Sequence, residues 1–259
     1  MIAILVAVKQ ELNPILRLAD AQTIIRQEHF DFYEGTLAGQ PVALLALGVG
    51  KECARIAAEM TIKCYRPDLI ISAGFGGGLQ EQVRNGDIVI GTEVIDLSGD
   101  DGKDVRLRVI PVRNRQPQLN EQTGNFRIHF GKVLTTDDLI VKAERKKRIG
   151  LVTGALTVDM ETSAVAAVAA AHDTDFLAVR CITDNSRANL PREFNDFFVL
   201  GQLQTSRVIA SIARRPKLIL DLARLGYRAN RAGHLLARFL TQAVTHLPAE
   251  YAPTPVGVA

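Results

Sequence analysis

The sequence predicts an α/β fold: a single domain with a mostly parallel central mixed sheet flanked by helices, followed by a C-terminal basic amphipathic helical extension. Three observations predict it. Short, continuous apolar runs rich in β-branched residues alternate with segments of helical periodicity, the pattern of strands covered on both faces by helices. Glycine clusters follow two of those runs, at the edge where open α/β sheets place their ligands. The chain of 259 residues is long enough to bury one such core.

Taken in order, residues 2–8 are a continuous apolar run and read as a buried strand, and 11–18 as a helix. Residues 42–47 form a second buried strand, closed by Gly48-Val49-Gly50. Ala54, Ala57, Ala58, Thr61 and Ile62 recur at helical spacing, and Pro67-Asp68 ends that helix. Residues 69–73 start a third strand, and the glycine cluster Gly74-Phe75-Gly76-Gly77-Gly78 follows it, open to tight turns or to close approach of a ligand. A fourth strand spans 87–95, 98–106 are polar and turn-rich, 113–125 are a surface excursion, and 128–134 are a strand. The Ala- and Val-rich segment 160–172 is a helix, 176–183 a strand, and 194–212 a helix. The domain is thus expected over 1–213, the helical extension over 214–247, and a disordered tail over 248–259.

The extension is legible in its periodicity. Pro216 suits a first helical turn. Leu218, Leu222, Leu225, Ala229, Ala232, Leu236, Leu240 and Ala243 share one face, and Lys217, Arg224, Arg228, Arg231 and Arg238 a neighbouring one. Gly226 and Gly233 each weaken the helix by about 1 kcal/mol relative to Ala, so it needs a surface to lie on. Docking on the body or a partner copy, lying on an anionic membrane, and contacting nucleic acid remain open from this pattern.

Composition narrows the function classes. Hydrophobic residues are 47% and charged residues 23%, which excludes a largely disordered chain. Aromatic content is 5% with no Trp, which argues against base-stacking platforms for nucleic acid. Cys53, Cys64 and Cys181 are too few and scattered for a disulfide framework or a four-ligand zinc site, and a reducing cytoplasm is the expected compartment. The apolar start is too short for a membrane span and lacks the basic flank of a signal peptide. From Arg207 onward the chain carries eight Lys and Arg against two acids, a basic tail on a mildly acidic body.

The acids are the informative chemistry. Glu11 follows the first strand, Asp159-Met160-Glu161 opens a helix, and Asp184 follows the apolar strand 176–183. Each lies at a strand end or helix start, where loops gather into a cleft. Taken singly, each is explained as readily by helix capping and the helix dipole. The first strand lacks the glycines of a dinucleotide fingerprint, and no phosphate-binding G-x-x-x-x-G-K-[ST] loop is present. The five histidines have no metal-ligand spacing, and Cys181 lies mid-strand. Carboxylates are left as the acid–base groups.

Over residues 1 to about 212 the chain resembles the purine nucleoside phosphorylase/uridine phosphorylase superfamily, and most of all its methylthioadenosine/S-adenosylhomocysteine nucleosidase branch. The resemblance rests on residues 4–11, Gly48-Val49-Gly50-Lys51, Ser72-Ala73-Gly74-Phe75-Gly76-Gly77-Gly78-Leu79 and Gly86-Asp87-Ile88-Val89. It continues in Val158-Asp159-Met160-Glu161-Thr162, Val179-Arg180-Cys181-Ile182-Thr183-Asp184 and Glu193-Phe194-Asn195-Asp196-Phe197. It implies N-glycosidic cleavage of a purine nucleoside. Asp184 would give a proton or hydrogen bond to purine N7, and Glu11 would orient the attacking water. Met160 and Glu161 would bind ribose, with Asp159 in the same triplet. Val8, Leu139 and Phe194 would line the pocket, and the backbone of Ala73, Gly74 and Phe75 would face base and ribose. No cofactor or metal is implied, only water, or inorganic phosphate as co-substrate. The implied partners are the nucleoside and further copies of the chain, a dimer or larger, with no nucleic acid. The basic tail is similar to that of hopanoid-associated nucleoside phosphorylases, whose adenosylated lipid substrate suits peripheral association with the inner face of the membrane through 214–247.

The chain departs from that pattern at Phe75, where a small polar residue is usual, at Asp159, where glutamate is usual, and at Asp96-Leu97-Ser98-Gly99-Asp100-Asp101. No arginine lies in either glycine segment. Arg55 and Arg84 lie beyond them, and Glu11 would repel phosphate, so hydrolysis is expected over phosphorolysis. A nucleoside-binding protein without turnover, a dinucleotide-dependent oxidoreductase and a membrane-bound scaffold are the competing classes.

Overall fold

The computed structural model describes residues 1–21, 23–27, 30–98, 106–114, 117, 126–199, 202–216, 218–248 and 251. In chain order the elements are β1 (Ile2–Val6), α1 (Lys9–Leu18), β2 (Thr23–Gln27), β3 (Phe30–Leu37), β4 (Gln40–Ala46), α2 (Lys51–Tyr65), β5 (Leu69–Gly78), β6 (Ile88–Ser98) and β7 (Arg106–Ile110). They continue with β8 (Ile128–Thr135), α3 (Ala143–Thr153), β9 (Thr157–Asp159), α4 (Thr162–Ala171), β10 (Asp175–Asp184) and a 3-10 turn (Arg192–Phe197). The last are β11 (Phe198–Val199), β12 (Gln202–Leu203), α5 (Thr205–Arg214) and α6 (Leu218–Thr245).

The main sheet is mixed. Its central run β4–β1–β5–β10 is parallel, and β6 and β8 are also a parallel pair. Pairings of β10 with β6, β6 with β8, β8 with β9 and β9 with β5 close these strands on themselves. An antiparallel meander, β2–β3–β4, extends the other side. The Leu37–Gln40 hairpin turns through Ala38 and Gly39, both with positive φ (51° and 81°), as a two-residue hairpin loop requires.

Every residue of β1 is buried, as expected for a parallel strand covered on both faces. One face packs Ile4, Ile71, Val179 and Cys181 against α1 and α6. The other packs Leu5, Ile70, Phe176 and Ala178 against Ala54, Ala57 and Ala58 of α2 and Val165, Ala166 and Ala169 of α4. Small side chains on α2 and α4 let both helices lie close to the sheet.

Two expectations need correcting. The glycine run 74–78 does not follow the third strand but lies within it: β5 continues through it, with Gly74, Phe75 and Gly76 registered against Arg180, Cys181 and Ile182 of β10. Residues 194–212 are not one helix but the 3-10 turn, a short hairpin and α5, because the Phe197-Phe198-Val199 run is β-prone and a glycine, Gly201, closely follows it. Of the readings open for the segment 214–247, the packing shown is docking on the body. In α6, Leu236, Phe239, Leu240, Ala243 and Val244 are buried in the same core as β1 and β10, and Phe239 meets Phe126 edge-on at 5.5 Å. Pro14 has no N–H to give the Gln10 carbonyl, and Gly233 fits against that carbonyl, where a Cβ would lie 2.7 Å from the oxygen.

Of the expected disordered tail, Tyr251 is buried and its hydroxyl bonds to Asp175, while 249–250 and 252–259 lie outside the described residues. So do most of the 113–125 excursion and residues 99–101 of the acidic one. Among the described residues no helix is long and apolar enough to cross a membrane.

Candidate active site

The strand β5 is the axis of the site, and its glycines are where other chains of atoms cross it. A Cβ on Gly74 would stand 2.9 Å from Glu11 Oε1, one on Gly76 would clash with Thr157 Oγ1, and one on Gly77 would stand 3.3 Å from Asp184 Oδ2. Glu11 and Asp184 thus address positions three residues apart on one strand, about 10 Å along it.

Glu11 sits in the first turn of α1, where its carboxylate reaches back to the helix start. Oε2 accepts the N–H of Ala7 (2.8 Å) and of Val8 (3.0 Å), and Oε1 accepts that of Phe75 (2.6 Å). Capping accounts for the first two bonds; the third ties α1 to β5. Burial raises the Glu11 carboxyl above its usual range, against the lowering effect of these amides and of Arg180. Val8 contributes its backbone as the N-cap of α1. Phe75 contributes its N–H, while its ring packs half-buried against the core shared by α1 and α6.

Glu161 lies at the start of α4. Its Oε1 accepts the N–H of Gly50 (2.8 Å), and its Oε2 that of Met160 (3.2 Å). Gly50 donates from a backbone with φ of 98°, a conformation that L side chains rarely adopt. Burial first, and the Asp159 charge second, push the Glu161 carboxyl up to about 8. Glu11, Glu161, Ala73, Gly74, Phe75 and Arg180 line one cavity of about 10 Å³, close to the volume one water needs.

Asp159 does not line that cavity. Its Oδ2 accepts Arg180 Nε (2.5 Å) and the Thr162 hydroxyl, and its Oδ1 accepts the Thr135 hydroxyl (2.8 Å). Arg180 spends its remaining N–H groups on the Ser72 and Val179 carbonyls and the Ser72 and Thr162 hydroxyls. Both side chains are buried, so the pair is a floor beneath Glu161.

Asp184 ends β10, buried, and is found as half of an ion pair: its Oδ2 accepts the ammonium of Lys146 on α3, and its Oδ1 accepts the Thr183 hydroxyl (3.0 Å). It does not line the small cavity. Leu139 and Phe194 form a third group, packed with Leu190, Phe197 and Leu218 and joined to Asp184 by the loop in which Leu190 N–H donates to Val141 O (2.8 Å). Lys51, beside Gly50, braces the region by pairing with Asp96 and Asp137, each at 2.8 Å.

Arg180 and Lys146 are the cations that residue-by-residue reading passed over. Arg180 sat inside an apolar strand run, and Lys146 inside a charged segment that reads as a solvated face. A second cleft, about 480 Å³, lies between α6 and the turn at Asn85–Gly86, with Thr183, Arg224, Tyr227, Arg228 and Arg231 among its walls. Among the described residues no group of three or more His, Cys, Asp or Glu is placed to hold a metal ion.

A family model described as the phosphorylase superfamily matches residues 1–214. A 5'-methylthioadenosine/S-adenosylhomocysteine nucleosidase of Exiguobacterium sp. is 23% identical over 227 residues, covering 83% of this chain and 97% of the relative. The nucleosidase of the same description from Helicobacter pylori superposes with a TM-score of 0.70 at 18% identity, covering 94% of this chain and 97% of its own. Futalosine hydrolase of Helicobacter pylori does so with a TM-score of 0.70 at 17% identity and the same coverage. At such identities the structural likeness speaks for the fold, and it reaches past residue 214 into α6.

Proposed function

The chain belongs to the phosphorylase superfamily, and on that premise we propose that it hydrolyses the N-glycosidic bond of a purine nucleoside. The substrate is a 5′-substituted adenosine of the methylthioadenosine/S-adenosylhomocysteine type or an adenosylated lipid, and adenine is released. The observation that carries this reading is that Glu11 and Glu161 face one water-sized cavity whose one guanidinium among the described residues, Arg180, has its N–H groups taken by protein acceptors. Two carboxyls without an available cation suit a water and a cation-like sugar, and disfavour a phosphate.

Breaking the C–N bond puts positive charge on the ribosyl ring and negative charge on the departing base. Glu161, with Met160 beside it, holds the vicinal ribose hydroxyls through charge-assisted bonds. Glu11, fixed by three amides, accepts a proton from the water that attacks the anomeric carbon. Asp184, about 10 Å further along β5, gives a proton to N7. Val8, Leu139 and Phe194 line the site, and Asp159 supports it through Arg180. Water is the only co-reactant in this scheme. A nucleoside needs far more room than 10 Å³, so binding parts the loops around Gly50 and Glu161.

The partners are proposed in turn. The chain associates with copies of itself, as a dimer or larger, through exposed apolar positions such as Leu107 and Val109 on β7. It works in the cytoplasm and touches the inner face of the membrane through the outer half of α6, where Ile219 and Leu220 are exposed beside Arg224, Arg228 and Arg231.

The test is a panel of adenosines differing at the 5′ position, incubated with and without inorganic phosphate and read as released base. Release independent of phosphate is expected. Release that requires phosphate would make the protein a phosphorylase, and binding without release would make it a nucleoside-binding protein.

A further inference from the structure

Lys146 is the one lysine buried among the described residues. The rest of α3 explains why this is unusual: Glu144, Lys147 and Arg148 on the same helix are exposed, whereas the Lys146 stem turns inward. Its ammonium bonds Asp184 Oδ2 and the Ala188 carbonyl (3.1 Å). Taking two charges out of water is expensive, and apolar residues of similar volume often serve stability as well or better. The placement therefore asks for a chemical reason.

A chemical reason is at hand if the functional reading above holds, on which this inference rests. In the ion pair that the geometry shows, Asp184 has no proton of its own to give, and the purine leaving the anomeric carbon needs one. The pair taken together does carry a labile proton, on Lys146. We propose that Lys146 is a positioning residue that keeps a transferable proton at Asp184. As the C–N bond breaks, its electron pair goes to the purine. Asp184 takes a proton from the Lys146 ammonium, which becomes a neutral amine, and passes a proton to N7. Water adds to the sugar and loses its proton to Glu11. When the products leave, solvent restores the proton to Lys146 and removes the one on Glu11, so charge and atoms balance. The Thr183 hydroxyl and the Ala188 carbonyl hold the two partners in register throughout.

Two substitutions separate proton supply from charge pairing. Lys146→Arg keeps a cation against Asp184 but one that does not release its proton. Lys146→Met removes the cation and with it the proton reserve, so that Asp184 must draw its proton from solvent. Each is compared with the wild type on a 5′-substituted adenosine across pH, and on a 4-nitrophenyl riboside, whose leaving group departs as a stable anion. Lys146→Arg is expected to lose about 100-fold on the nucleoside at every pH, the scale of a general-acid contribution. Lys146→Met is expected to lose as much near neutrality and to recover towards acid pH. Both should lose less than about tenfold on the nitrophenyl substrate. A Lys146→Arg protein within about threefold of wild type would overturn the proposal, as would equal losses on both substrates or a Lys146→Met profile parallel to wild type. A wild-type protein that releases no base from any nucleoside would instead overturn the functional reading itself, and Lys146's role with it.

Discussion

Arg180 Nε lies 2.5 Å from Asp159 Oδ2, with both side chains buried, and this pair joins β10 to the turn that presents Glu161. Removing one partner leaves a buried charge uncompensated, which costs about 3–5 kcal/mol. Asp159→Ala should therefore lower the melting temperature by about 10 °C, given roughly 2–4 °C per kcal/mol for a domain of this size. Calorimetry or circular dichroism checks it. A shift within about 1 °C would mean that the pair is not the floor of the site.

Glu161 should impose a pH dependence of known sign. Its carboxyl titrates near 8 in the folded protein, above its unfolded value of about 4.3. The folded state therefore holds a proton that the unfolded state has lost between those values. The stability this contributes is complete below the unfolded value and is lost as pH rises through about 8. Ribose hydroxyls are bound best by the ionised form, so KM should fall as pH rises through the same range. In Glu161→Gln that dependence should vanish and KM should rise about tenfold or more, the scale of a lost charge-assisted bond. A KM–pH profile unchanged by the substitution would contradict the assignment.

Glu11 to Gln should spare binding and lower turnover by roughly 10²–10⁴-fold, because the amide cannot accept the water's proton. The amide oxygen can still accept the Ala7 and Val8 N–H groups, whereas the amide nitrogen turns a donor towards that of Phe75. Steady-state kinetics separate the two effects: a variant impaired in KM alone would make Glu11 a binding residue.

Gly233 to Val should destabilise by about 1–3 kcal/mol, the cost of overpacking a closed contact. The added atoms meet the Gln10 carbonyl at 2.7 Å, on the helix that carries Glu11. Gly226→Ala, on the same helix with nothing within 4 Å, should be neutral or stabilising. Thermal melts of the two variants side by side check this. Equal effects would mean that α6 does not bear on α1.

Much of this molecule is legible from its residues, for reasons that differ by element. Buried parallel strands announce themselves as apolar runs, so β1, β4 and β10 fall close to their expected places. Glu11, Glu161 and the backbone of Ala73–Phe75 meet at one cavity because each follows or ends a strand at the same sheet edge. The strands β2 and β3 that extend the sheet beyond β4 carry no comparable signal, since the β3–β4 hairpin turns on Ala38-Gly39 rather than Asn-Gly. The helix α3 was also missed: its run of charges lacks an apolar stripe, and the one charged residue it buries, Lys146, is chosen by a partner 38 residues away. The glycine run lies inside β5 rather than after it, because sequence spacing cannot tell a loop from a strand crossed by other side chains.

The most direct test of the central proposal is hydrolysis of methylthioadenosine in ¹⁸O-labelled water, with inorganic phosphate present and the sugar product analysed by mass spectrometry. The arrangement of Glu11, Glu161 and Asp184 predicts free adenine and a sugar carrying one labelled oxygen at its anomeric position. A sugar 1-phosphate without label, or intact nucleoside, would contradict it.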